Sequence, residues 1–212
     1  MSRAAKRQMT QAELHAFNVS HALCRDETRT HLVKPFGIEW QGVGYVGATD
    51  GHRLSLQASE SWRDFVREDA PRCGRLLDSV AGAPCLGSLS ATAFGDECRI
   101  FPATWDVWFT FGRGSERGYA SVSKVVGSGK NEHRVYPFGR AVSADWIPSL
   151  DTLPEEGLAV RLGYLLDAVD FINNGSIPVF CAGTMEPIVL LPVGARAIAG
   201  AERIALVMPT RA

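Results

Sequence analysis

Long apolar runs are missing from this sequence. No stretch approaches the roughly 18 residues that a membrane-spanning helix needs, so no membrane span is expected. The basic start Met1-Ser2-Arg3-Ala4-Ala5-Lys6-Arg7 has no apolar segment behind it, so no secretory leader is expected, and with the cysteine pattern below a cytoplasmic location is the expectation. Net charge is nearly absent too. The 22 Lys and Arg almost cancel the 23 Asp and Glu, leaving −1, so contact with nucleic acid would need a local patch rather than bulk charge. The five cysteines, Cys24, Cys73, Cys85, Cys98 and Cys181, are odd in number and widely spaced, with no C-x-x-C. Reduced, buried thiols fit this better than a disulfide framework or a zinc ribbon. What the chain has is apolar material: 46% of 212 residues, enough to build a core in one or two domains.

The ends of the chain follow the same order of elements. Thr10-Gln11-Ala12-Glu13 has the spacing of a capping box and opens a helix running to about Arg25, with Leu14, Phe17 and His21 on one face. Phe36, Ile38 and Trp40 alternate as a strand; Tyr45–Thr49 and His52–Gln57 follow as two more, joined at Asp50-Gly51. Near the other end, Val160–Ile172 is an amphipathic helix, followed by strands at Ile177–Cys181, Ile188–Leu191 and Ile204–Met208. Helix plus three antiparallel strands, twice, predicts an α+β protein with helices on one face of antiparallel sheets. The middle is less regular. Trp62–Val66 and Arg75–Val80 suit short helices, Ala81–Leu89 a loop, Trp105–Phe111 and Tyr119–Val126 a hairpin, and Gly127–Arg134 a polar loop.

No enzyme motif survives inspection. Gly127-Ser128-Gly129-Lys130-Asn131 imitates a phosphate loop but lacks its first glycine and its closing Ser or Thr. Ser121-Val122-Ser123-Lys124 lacks the companion elements of acylating enzymes. His21 and Cys24 sit a turn apart with no second pair to complete a metal site. Neither catalytic residues, nor metal, nor cofactor are expected. The stretch 112–140 is basic, and Arg113, Arg117, Lys124, Lys130 and Arg134 are its candidates for DNA contact.

Two short segments are more telling. Ala48-Thr49-Asp50-Gly51-His52-Arg53-Leu54 exceeds what a hairpin requires, and Val207-Met208-Pro209-Thr210-Arg211-Ala212 is an odd way for a strand to fray. The first resembles the hallmark strand–turn–strand in the middle domain of the bacterial DNA polymerase III beta sliding clamp, and the second is similar to the end of that clamp. Gly163–Val169 resembles the helix of the clamp's last half-domain, Glu186–Leu190 the strand after it, and Ala144–Leu150 a segment near clamp domain ends. The likeness covers about 10–57 and 157–212.

The resemblance implies a truncated, DNA-clamp-like protein with a clamp-like N-terminal region at 8–145, unaligned over 60–145, and a clamp-like C-terminal half-domain at 146–212. It implies a non-enzymatic role in DNA replication or repair, binding short peptides of polymerases or other clamp clients. The implied pocket has Thr49, Gly51, His52, Arg53 and Leu54 on one wall and Leu206, Met208, Pro209 and Arg211 on the other. Leu54, Leu206 and Met208 would take Leu or Phe side chains, while Arg53 and Arg211 would position polar groups. Duplex DNA and a second copy of the chain are further partners implied. Two alternatives stand beside this reading: an oligomeric ring that encircles duplex DNA as a processivity factor, and a non-ring adaptor or competitor of a host clamp. Clamp rings line their hole with basic helices, whereas the helix at 160–172 carries Asp167 and Asp170.

Overall fold

The computed structural model describes residues 9–110, 119–124, 132–137, 157–172, 175–183 and 185–210. The boundary expected at 145/146 and the segment Ala144–Leu150 lie outside the described residues.

Helix plus three strands occurs three times, not twice. The first copy is α1 (Gln11–Val19) with β1 (Phe36–Trp40), β2 (Val43–Thr49) and β3 (Arg53–Ala58). After a 3-10 turn at Trp62–Phe65 and the short α2 (Gly74–Val80) come β4 (Cys85–Ser90) and the second copy: α3 (Ala91–Cys98), β5 (Asp106–Thr110), β6 (Tyr119–Lys124) and β7 (Glu132–Pro137). Then β8 (Gly157–Arg161) leads into the third: α4 (Leu162–Ile172), β9 (Ser176–Phe180), β10 (Ile188–Leu190) and β11 (Arg203–Val207). The last two copies exchange their leading strands, since β4 pairs with β9 and β8 pairs with β5, both antiparallel.

These pairings give a seven-stranded sheet, β1-β2-β3-β11-β10-β9-β4, and a four-stranded sheet, β7-β6-β5-β8. The join that positions the candidate site is β3 on β11. There Leu54 stands opposite Leu206 and Arg53 opposite Val207, so residues about 150 positions apart become neighbours. Side chains alternate across the large sheet. Val46, Ala48, Ala205 and Val207 face α1 and α4, packing with Leu162, Leu165 and Val169. Tyr45, Leu54, Leu56, Ile204 and Leu206 face the other way, against Leu77 and Val80 of α2. The repeat helices thus share one face, as expected, and α2 covers the opposite one.

Several expectations need correction. Cys85–Ser90 is a strand where a loop was expected. It lacks the β-branched residues that mark strands, and its pairing partner β9 supplies the order. Glu132–Arg134, expected in a polar loop, belongs to β7. The late helix starts at Leu162, not Val160, because 157–161 pairs with β5. The first helix stops at Val19 and tightens into a 3-10 turn, well short of Arg25. Its inward face is also different: Leu14 is 42% and Phe17 66% exposed. Beneath α1 the sheet carries polar Ser55 and Gln57, so the helix turns Asn18 and His21 towards it. Asn18 Nδ2 donates to Gln57 Oε1 at 3.0 Å, and His21 Nε2 lies 3.0 Å from Ser55 Oγ. Matching buried polar groups outweighs burying two apolar side chains here. The capping box at Thr10 and Glu13 is present in both directions. All five cysteines are free; Cys73, Cys98 and Cys181 are buried, but Cys85 is exposed. Among the described residues no helix is long and apolar enough to cross a membrane.

Candidate functional site

The β2–β3 turn is built by its own side chains. Gly51 has φ +92°, a conformation that favours glycine. Asp50 Oδ1 accepts from the backbone N–H of His52 at 2.9 Å and of Arg53 at 3.1 Å. Thr49 Oγ1 accepts from Gly51 N–H at 3.1 Å and donates to the Arg53 carbonyl at 2.6 Å. The turn is therefore rigid without help from any ligand.

Residues 208–210 are stitched in on both sides. Met208 N–H donates to the His52 carbonyl at 2.8 Å, and Thr210 N–H donates to the Ala159 carbonyl at 2.7 Å, with Pro209 bridging to Val160 between them. The turn at Asp50 and the last described residues of the chain thus lie side by side.

Where they meet, a groove of about 420 Å³ opens. Its floor is Leu54 and Leu206, only 2% and 1% exposed. One rim is Thr49, Gly51, Arg53 and Met208; the facing wall is Pro71, Arg72, Cys73 and Leu76 at the start of α2, with His31 and Leu32 closing the end. Burial pushes the Cys73 thiol up to about 11, so it stays protonated at neutral pH and adds to an apolar lining. A wider cavity of about 900 Å³ lies across the Gly51–Met208 rim, which both share. His52, Tyr164, Arg161, Pro209 and Thr210 line it, and the His52 and Tyr164 rings stack at 5.7 Å.

Neither a family model nor a curated protein matches this sequence. Solved structures do. The beta sliding clamp of C. crescentus superposes with a TM-score of 0.66 at 14% identity, covering 94% of this chain and 63% of that one. The DNA polymerase sliding clamp of Bacillus subtilis gives 0.63 at 14%, over 94% and 62%. The DNA polymerase III beta subunit of Thermotoga maritima gives 0.65 at 12%, over 100% and 68%. The chain has the fold of a bacterial sliding clamp. It spans just under two thirds of the length of the first two clamps that it matches.

Within the clamp fold, the residues singled out from sequence divide three ways. Thr49, Gly51, Arg53, Leu54, Leu206 and Met208 line the groove together. His52 and Pro209 face the neighbouring cavity, and Arg211 lies outside the described residues. Of the basic candidates, Arg113, Arg117 and Lys130 also lie outside the described residues. The backbones of Lys124 and Arg134 are in β6 and β7, opposite Glu132 and Val122. Sequence reasoning missed the whole α2 wall and the His31–Leu32 closure. The signal available was the apolar spacing of Cys73, Leu76, Leu77 and Val80, which marks a helix with one buried face but not what it faces. Among the described residues no group of three or more His, Cys, Asp or Glu is placed to hold a metal.

Proposed function

We propose that this clamp-fold protein is a non-enzymatic docking module of DNA replication or repair, which receives a short linear peptide from a polymerase or other clamp client. The observation that carries the reading is the groove itself. Two stretches far apart in sequence and the short helix α2 converge on an apolar slot with a rigid, hydrogen-bonded rim. A preformed slot of this size suits one or two large apolar side chains of an extended peptide. Two solved structures support it: a C. crescentus clamp has polyethylene glycol bound at a region proposed for beta-motif tethering, and a Pseudomonas aeruginosa clamp is bound to griselimycin.

Peptide docking is favoured over encirclement of DNA. A ring around duplex DNA needs basic helix faces for counterion release, and α4 carries no Lys or Arg of its own, only Asp167 and Asp170, each paired with an arginine from elsewhere. DNA contact by the basic stretch at 112–140 is a second, separable part of the proposal. Its test is a salt titration of duplex retention together with the solution mass; a closed oligomer held on circular but not linear DNA would restore the ring.

The groove is tested by fluorescence anisotropy with a labelled short peptide carrying adjacent leucine and phenylalanine. Met208→Ala and Leu76→Ala remove half-buried lining without emptying the core, and each is expected to weaken binding about 5- to 30-fold. Unchanged affinity in both, with circular dichroism intact, would overturn the reading.

A further inference from the structure

Arg53 reaches from the groove rim to α4, and two of its guanidinium nitrogens are held by carboxylates. Its Nε donates to Asp50 Oδ2 at 3.0 Å, and its Nη1 meets Asp167 Oδ2 on α4. Its central carbon lies 4.9 Å from the centre of the Tyr164 ring. The side chain is only 12% exposed. Asp167 and Tyr164 are three residues apart on α4 and so lie on one face of that helix. Tyr164 also stacks on His52. Two consecutive residues of the turn are therefore held by two residues of the helix, Arg53 by the charge of Asp167 and both Arg53 and His52 by the ring of Tyr164.

We infer that Arg53 is a positioning residue, a strut that fixes the 49–53 turn against α4 through Asp167, and not an anchor for the charge of a bound peptide. Two carboxylates already flank the guanidinium, so the groove sees little free positive charge at this point. What Arg53 sets is the height of the rim. Its backbone pairs with Val207, the preceding residue, His52, accepts from Met208 N–H, and Met208 is the lip that faces Leu76 across the slot. Losing the contact with Asp167 frees the turn to lift and lets Met208 follow. The consequence for binding rests on the peptide-groove reading; the strut itself does not.

The experiment uses the full chain with Asp167→Asn and Asp167→Glu, read by amide hydrogen exchange and by anisotropy with the labelled leucine–phenylalanine peptide. A strut predicts about tenfold faster exchange at His52, Arg53 and Met208 in Asp167→Asn, with protection in α1 and β9 unchanged and Asp167→Glu restoring the wild-type rate. Unchanged exchange at those three amides overturns the proposal, whatever the peptide does. The peptide arm separates the two roles of Arg53. As a strut, Asp167→Asn weakens binding about threefold or more. As an anchor, the same variant unmasks the guanidinium and leaves binding equal or tighter, which would overturn the coupling to the groove. If the wild-type protein binds no such peptide, the groove reading fails and the exchange data alone decide the strut.

Discussion

His21 shows how one half-buried side chain ties the first repeat to the pH of the medium. Its Nδ1 lies 3.0 Å from the Asn18 carbonyl and therefore donates, which leaves Nε2 to accept from Ser55. Burial pushes its pKa below the ordinary histidine range. The bond to Asn18 and the carboxylates of Asp167 and Asp170 pull the other way, Arg53 adds to the depression, and burial wins. The unfolded chain binds a proton near pH 6.5 that the folded imidazole resists, so stability is complete above that value and declines as pH falls through it. The urea midpoint is expected to drop between pH 7.5 and 5.5, and His21→Gln to flatten that slope. An unchanged slope in the variant would assign the effect elsewhere. The sequence placed His21 on the helix face, but among apolar neighbours. Its polar surroundings depend on which sheet residues lie below, and single-helix periodicity carries no such information.

At the scale of elements, the parts legible from sequence were those whose order is local. Alternation in Phe36–Trp40 and Asp106–Thr110, the capping box at Thr10, and the Asp50-Gly51 turn all read correctly because each follows from neighbours in the chain. β4 and α3 did not. Cys85–Ser90 has no β-branched residue, and Ala91–Cys98 is only two turns long with Gly95 inside it, so tertiary pairing with β9 and packing on α4 decide both. The half of the site carried by β3 and β11 was legible through its motif; the α2 half was not, because nothing in Gly74–Val80 indicates which sheet face it covers. Close packing between elements gives a direct test. A Cβ at Gly37 would fall 1.9 Å from the carbonyl oxygen of Trp62, backbone against backbone. Gly37→Ala is expected to push the Trp62–Phe65 turn off β1 and to cost about 1–3 kcal/mol, read from thermal unfolding. A melting temperature equal to wild type would show that the turn yields freely.

At the scale of the molecule, the β3–β11 pairing makes the first and third repeats parts of one sheet. Neither half of that sheet can open without exposing Leu54, Leu56, Ile204 and Leu206 together. Urea unfolding followed by tryptophan fluorescence and by circular dichroism is therefore expected to give one coincident transition. Two separated midpoints would mean that the repeats melt independently.

The floor of the groove also closes the core, and on the proposed peptide reading this limits how such a protein can change its taste. Leu54 and Leu206 cannot drift without loosening the sheet join that they complete. The opposite bank is freer, since Leu76 stands on a short helix, and Arg72 just ahead of it, where residues can be replaced one by one. A new preference among ligands would be written there, on one side of the slot, while the other side stays as the fold demands.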